Sequence, residues 1–404
     1  VAAQHVLLIA AIVLFSGAIG GMIARQLGVP DIVLYLLAGI LLGPAVGRLV
    51  VVPADSTLNQ IILFFGASYI LFDGGVSLRF RVLRQVWITV VLLATVGVVV
   101  TALITAIAAY YLLAVPMVVA ALLAAVISST DPATLIPVFK QVKIRERVAQ
   151  TVISESAAND AVGAILTFAV LLVATGGGTL SIGHSVGLLG YEAVVGILIG
   201  AIAGYFASLF IAHERLGFLQ EYVPLVTLMV VAAAYLGAGE LRASGFMAVF
   251  VAGIVLGNRE YFGLRLAPAE AHRLEEFILT TALIMRMFIF ILLGTQVNFA
   301  LLDSYLWGAI GVVTIFMLVA RPLTVLVCTL PDRRARWSAR EVIFMCWTRE
   351  TGVIPSALAG VLIGVGAPGA DVIAAVTFMA VLVTILVQAT STRWLARKLD
   401  LLEA

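Results

Sequence analysis

"AVISSTDPATLIPVF", residues 125–139, is an apolar run cut in the middle by Thr130, Asp131 and Pro132. Asp is a favoured helix N-cap and Pro a favoured first helical residue, so "TDPA" ends one helix and starts the next. In water, capping alone would account for the motif. Here the restart falls about eight residues, roughly 12 Å of helix, before the run ends at Lys140. Its meaning therefore depends on the solvent around it.

The rest of the chain identifies that solvent. Its 404 residues are 63% hydrophobic and 11% charged, where a soluble domain carries roughly a quarter charged residues. Apolar stretches of about 20 residues, each long enough to cross a ~30 Å hydrocarbon core, recur from end to end. No polar segment is long enough to fold as a soluble domain. The composition implies an all-α polytopic membrane protein. Cys328 and Cys346 both lie in apolar runs and read as small core residues rather than a disulfide or a metal pair. The first run, residues 5–24, has no basic leader and reads as a span. In lipid, a broken helix such as 125–139 is tolerated only where protein or a water-filled cavity satisfies the freed backbone. Carbonyls ending the first half-helix suit a cation there, and so does the Asp131 carboxylate. Capping and cation handling are compatible roles.

Breaks at Gly, Pro and charged clusters give thirteen candidate spans, near 5–24, 31–50, 57–77, 86–113, 116–139, 149–175, 184–212, 222–237, 241–257, 277–294, 305–328, 342–365 and 371–392. The weakest division is "YLGAGELRASG" at 235–245, and charge supports it. With residue 1 outside, the inward loops hold Arg25, Arg215 and the basic clusters at 79–84, 140–147, 259–273, 333–340 and 393–398. The outward loops hold Arg48 and Arg242. Fusing the doubtful pair would reverse every later loop against the positive-inside tendency. The expectation is a plasma-membrane protein with its amino end outside and its carboxyl end in the cytoplasm.

An odd count fits one added helix plus two six-helix halves of opposite orientation. That is a transporter design in which discontinuous helices meet near the bilayer midplane. The second half offers its own break in "MCWTRETGVIPSALAG", residues 345–360, where Arg349, Glu350, Thr351, Gly352 and Pro355 interrupt a span.

The stretch "SESAANDAVG", residues 154–163, places more polar groups at depth. At about 100° per residue, Ser156 and Asp160 share one helical stripe, and Glu155 and Asn159 the adjacent one. All four could serve as interhelical glue. For Asp160 that reading is weak, because no positive charge is near in sequence. Moving a bare carboxylate into a low-dielectric medium costs of order 20 kcal/mol in an idealised Born calculation. Asp160 therefore tends to hold either a proton or a metal cation, two monovalent ligands competing for one carboxylate.

Arg321, in "MLVARPLTV", has no acid within its own helix, and Glu155 is its candidate partner, which leaves Asp160 to titrate. Arg349 does not face the adjacent Glu350 on a helix, and Asp73 is an alternative partner for it. Arg286 fits snorkelling or an ion pair equally. His5, His184, His213 and His272 fall near span ends and read as interfacial rather than pH-sensing.

With "TDPA" at 130–133, "SES" at 154–156 and "ND" at 159–160, the chain resembles the monovalent cation/proton antiporters. It is most similar to their NhaP/sodium–proton exchanger branch, which carries "ND" where the electrogenic branch has two Asp residues. "LYLLAGILLGP" at 34–44, "FDGG" at 72–75 and "ARPL" at 320–323 extend the likeness over essentially the full chain. It departs at "WTRETGVIP", residues 347–355, where many relatives have a Gly-Leu-Arg-Gly run.

The resemblance implies a single transmembrane antiporter domain over 1–404, with two inverted repeats and crossed, unwound helices five and twelve. A mobile core near 86–175 and 277–365 would move beside a dimerisation panel near 1–77 and 184–257. It implies Asp160 as the carboxylate that carries cation and proton, with Thr130, Asp131 and Ser156 bordering the ion. Glu155, also a candidate for the cation site, would pair with Arg321, and Asn159 would hold the core together.

The resulting expectation is a secondary transporter rather than an enzyme. It would exchange one Na⁺, with Li⁺ and K⁺ open, for one H⁺ by alternating access, electroneutrally. It calls for no cofactor and no nucleic acid; its partners are lipid, the transported ions and a second copy of the chain. An intramembrane aspartyl protease would need a Gly-x-Gly-Asp pattern, which is absent, and a channel would need no proton coupling.

Overall fold

A computed structural model describes the chain except residues 1, 28, 54–55, 131–138, 140–143, 177–181, 213–218, 220–221, 298 and 403–404. The first half contains α1 (Ala2–Leu27), α2 (Asp31–Leu42), α3 (Thr57–Ser77), α4 (Phe80–Ala94), α5 (Val96–Leu113), α6 (Met117–Ile127) and α7 (Glu146–Ala174). There follow α8 (Ile182–Ala212), α9 (Val223–Glu240), α10 (Gly245–Gly257) and α11 (Pro268–Thr295). Helix α12 runs from Phe299–Ile315 through a π turn, Phe316–Ala320, into Arg321–Thr329. After α13 (Ala339–Trp347) and α14 (Val353–Gly364), α15 runs from Ala370–Thr384 through a second π turn, Ile385–Ala389, into Thr390–Lys398. Among the described residues, nine helical stretches are long and apolar enough to cross a membrane, with α4 and α5 counted as one. The shorter apolar helices α2, α6, α10 and α14 fall where the sequence expects further spans.

Several boundaries differ from the sequence expectation, for local reasons. The second span ends at Leu42 instead of near 50, because Gly43 precedes Pro44 and adopts extended backbone, φ −74° and ψ 179°. The fourth span starts earlier, at Phe80, and breaks at Thr95, whose hydroxyl donates to the Val91 carbonyl at 2.6 Å. Such back-bonding bends helices. The doubtful division at 235–245 is real: α9 ends at Glu240, and Ser244 caps α10 by accepting from the Met247 N–H at 3.2 Å.

Close backbone approach holds α8 against α10. A side chain at Gly200 would strike the Ala248 carbonyl, and one at Gly204 would come within 2.6 Å of the Ala252 oxygen. Stripes of small residues let membrane helices pack backbone to backbone where lipid offers no hydrophobic drive. Helix α11, expected in the core at 277–294, packs along α2 and α3 as well as α14. At the α2–α11 contact, Gly39 and Gly294 face each other's backbones.

Several of the basic loops expected on one side of the membrane are tied to one another in two groups. The Arg79 guanidinium donates to the Gly257 carbonyl at 3.0 Å, and the Phe80 N–H to Asn258 Oδ1 at 3.0 Å. Asp332 accepts from Thr89 Oγ1 at 2.7 Å, and the Trp337 indole donates to the same hydroxyl at 2.9 Å. Arg147 lies 4.2 Å above the Trp337 ring and bridges Glu341 at 3.3 Å. Arg145 and Arg340 both reach Asp400, and Ile144 forms an isolated β-bridge with Leu402.

Candidate functional site

Helix α7 stays unbroken through "SESAANDAVG", and Glu155, Ser156, Asn159 and Asp160 are all at most 2% exposed. The helix satisfies its own backbone, so only the side chains need partners. On one side α7 meets the end of α6. There Ser128 closes the helix, its hydroxyl donating to the Ala125 carbonyl at 2.7 Å, and the chain leaves helical form by Thr130.

Thr130 is held at several points. Its N–H donates to Asn159 Oδ1 at 3.0 Å, and Asn159 Nδ2 donates back to Thr130 Oγ1 at 2.8 Å. The Thr130 hydroxyl donates to Ser156 Oγ at 2.8 Å. The amide of Asn159 thus does for the broken backbone what the missing helical bonds would have done. Ser156 and Asp160 lie one turn apart on α7, so the carboxylate stands on the stripe whose next member grips the break. Asp131 lies outside the described residues.

The second break spans 348–352, between α13 and α14, and charged groups secure it. Arg321 is fully buried, and its guanidinium grips Glu155 as a fork. One terminal nitrogen meets Glu155 Oε1, and the other donates to Oε2 at 2.9 Å. The remaining donors cap the end of α13, Nε reaching the Met345 carbonyl at 2.8 Å and a terminal nitrogen the Thr348 carbonyl at 3.1 Å. Bidentate geometry with every oxygen employed is the condition under which a buried ion pair offsets its desolvation.

Arg349, also buried, donates to the Ser128 carbonyl and lies 4.7 Å from the centre of the Phe316 ring. A carbonyl and a ring thus receive its guanidinium. The two breaks therefore touch. Two of the carbonyls ending the first half-helix, which the sequence suggests would suit a cation, accept hydrogen bonds from the protein: that of Ala125 from Ser128 and that of Ser128 from Arg349. A tethered guanidinium already meets the negative end of that half-helix.

Of the residues singled out from sequence, the structure brings Thr130, Ser156 and Asn159 into one knot and Glu155 and Arg321 into one pair. It puts Asp160 on the α7 stripe of the first group. Phe316, Thr384 and Gln388, which complete the second break, were not foreseen. Thr384 Oγ1 accepts from the Thr351 N–H at 3.1 Å, and Gln388 Nε2 donates to the Trp347 carbonyl at 2.7 Å. A fully buried Gln inside the apolar run "ILVQA" was the available signal.

The family model for the transmembrane sodium/hydrogen exchanger matches residues 10–398. The chain is 30% identical to "Na(+)/H(+) antiporter 1" of Methanocaldococcus jannaschii over 86% of its own length and 80% of that protein. It is 27% identical to "K(+)/H(+) antiporter NhaP" of Alkalimonas amylolytica over 98% of its length and 67% of that protein. The structure of the sodium proton antiporter MjNhaP1 from M. jannaschii at pH 8 superposes with a TM-score of 0.82 at 27% identity. That match covers 96% of this chain and 99% of the other.

Proposed function

Because this chain belongs to the sodium/hydrogen exchanger family and is a monovalent cation/proton antiporter, we propose that Asp160 carries the cation and the proton in turn. The observation that carries this reading is the placement of Asp160, 2% exposed on α7 and one turn from Ser156. Glu155 is committed to Arg321 through both oxygens. Arg349, the other guanidinium at the crossing, is committed to Ser128 and Phe316. Asp160 shares its stripe with Ser156, whose hydroxyl holds the broken backbone at Thr130.

A buried carboxylate favours whichever monovalent cation neutralises it. Na⁺ entering from one side and H⁺ from the other displace each other at one group. The site crosses neutralised in both directions, so exchange is one for one and insensitive to membrane potential. Oxygen donors for the dehydrated cation would come from Asp160 with Thr130, Ser156 and Asp131.

The same reading has a core near 86–175 and 277–365 moving against a panel near 1–77 and 184–257, with α11 packed between. It puts the amino end outside and the basic loops in the cytoplasm of a plasma membrane. Pairing of two copies through the panel follows from the family resemblance. Potassium is the second reading, supported by the likeness to relatives named K(+)/H(+) antiporters.

Purified protein in liposomes with an internal pH dye tests all of this. Addition of Na⁺ is expected to move protons at a rate unchanged by a valinomycin-imposed potential, with Li⁺ and K⁺ ranked in the same assay. A rate that tracks the potential contradicts one-for-one exchange at Asp160.

A further inference from the structure

The unwound stretch of the second break is held from two sides. On one side stand Arg321 and Arg349, already described. On the other, α15 presents Thr384 and Gln388, which take the Thr351 N–H and the Trp347 carbonyl. Both side chains are fully buried, in a helix whose neighbours in sequence are Ile, Leu and Val.

A Gln in that setting is expensive unless its polar atoms are used. Its Oε1 finds no hydrogen-bond partner among the described residues, so the Nε2 bond to Trp347 is what the residue contributes. The helix is also shaped for the task. A π turn covers Ile385–Ala389, and the extra residue in that turn shifts the phase of α15 where Gln388 reaches inward. The helix on the opposite side of the break repeats the device: the π turn Phe316–Ala320 comes immediately before Arg321. The indole of Trp347 closes the arrangement by donating to Ser391 Oγ at 2.8 Å, two residues beyond the π turn on the same α15.

We propose that Gln388 is a positioning residue for the exchange reaction, fixing the point where α13 gives way to the unwound 348–352 backbone, through the Trp347 carbonyl, so that Arg349 stays seated on the end of α6. The inference rests on the reading of Asp160 as the exchanging site. Gln388 makes no hydrogen bond to Thr130, Ser156 or Asn159, so it governs how the two breaks move together rather than how the cation is gripped. Its loss therefore acts on the maximal rate. An unwound segment between two half-helices is where a rocking core bends, and residues that fix its backbone set the rate of the conformational step.

Three proteins in liposomes test it: the unaltered chain, Gln388→Leu and Gln388→Glu. Each is checked for a monodisperse elution profile and assayed for Na⁺-driven proton movement across a pH series. Gln388→Leu is expected to lower the maximal rate about tenfold with the cation KM within about twofold, the scale of one buried hydrogen bond. In Gln388→Glu a protonated carboxyl can still donate to the Trp347 carbonyl, whereas the ionised form can only accept. Its rate is therefore expected near that of the unaltered chain at low pH and to fall away from it as pH rises.

A maximal rate in Gln388→Leu equal to the unaltered chain, or a Gln388→Glu profile parallel to it at every pH, overturns the proposal. Should Gln388→Leu not fold, the Gln388→Glu profile decides alone. Absence of exchange in the unaltered chain would instead sink the Asp160 reading on which the proposal stands.

Discussion

The two breaks in this molecule are built from opposite materials. Among the described residues the first, at the end of α6, is knit mostly by neutral groups, Thr130, Ser156 and Asn159 exchanging hydrogen bonds of 2.8–3.0 Å, with Arg349 reaching in to the Ser128 carbonyl. The second, between α13 and α14, is riveted by Arg321 with Glu155 and by Arg349. Neutral hydrogen bonds are worth roughly 0.5–1.5 kcal/mol net and re-form easily. Losing one partner of a buried ion pair costs about 3–5 kcal/mol. The lesson is a division of labour among the described residues: a buried ion pair fixes one break, and hydroxyls and an amide knit the other.

That contrast is broken most severely at Asp160. Asp160→Asn is expected to reduce exchange to the liposome background while the thermal unfolding midpoint stays within a few degrees of the unaltered chain. Retained exchange would move the site elsewhere. Glu155→Gln should do the reverse, stripping the counter-charge from buried Arg321 and destabilising by about 3–5 kcal/mol in a denaturation series. A stable Glu155→Gln protein would mean the pair is not the rivet described.

Arg349→Met removes one charge-assisted bond and leaves the Ser128 carbonyl buried, a loss of about 1–3 kcal/mol. It also withdraws a positive charge from the crossing, so the KM for Na⁺ is expected to fall. A higher KM would show that the guanidinium aids the cation instead of competing with it. Thr130→Val keeps the N–H bond to Asn159 but loses the hydroxyl contacts; a few-fold rise in KM with little change in stability is expected. Smallest is Asp400→Ala, which cuts an ion pair to Arg340 at the exposed end of the bundle. It should shift stability by less than about 0.5 kcal/mol and leave exchange intact.

Much of this contrast is legible in the amino-acid sequence. Hydropathy located the spans, and a cluster such as Thr130-Asp131-Pro132 or Arg349-Glu350-Thr351-Gly352 in an apolar run marks broken backbone on its own. Arg321 has no acid within its own helix, which makes Glu155 a candidate partner, and the family resemblance implies the pairing. Other features depend on neighbours that sequence does not bring together. The Ser128 carbonyl looked open to a cation because nothing local shows that Arg349 arrives there from the opposite half. The role of Thr384 and Gln388 is not spelled out by the sequence, because a π turn shifts phase without leaving a pattern in composition. The early end of α2 at Leu42 was available in the Gly43-Pro44 pair but was outweighed by the apolar residues that follow.

The claim beneath the whole account is that a single carboxylate is shared between proton and cation, and proton release on cation binding tests it most directly. Purified protein in weakly buffered detergent solution, titrated with NaCl against choline chloride, is expected to release one proton per Na⁺ bound, and none in Asp160→Asn. Sodium binding without proton release, or the same release from Asp160→Asn, would contradict it.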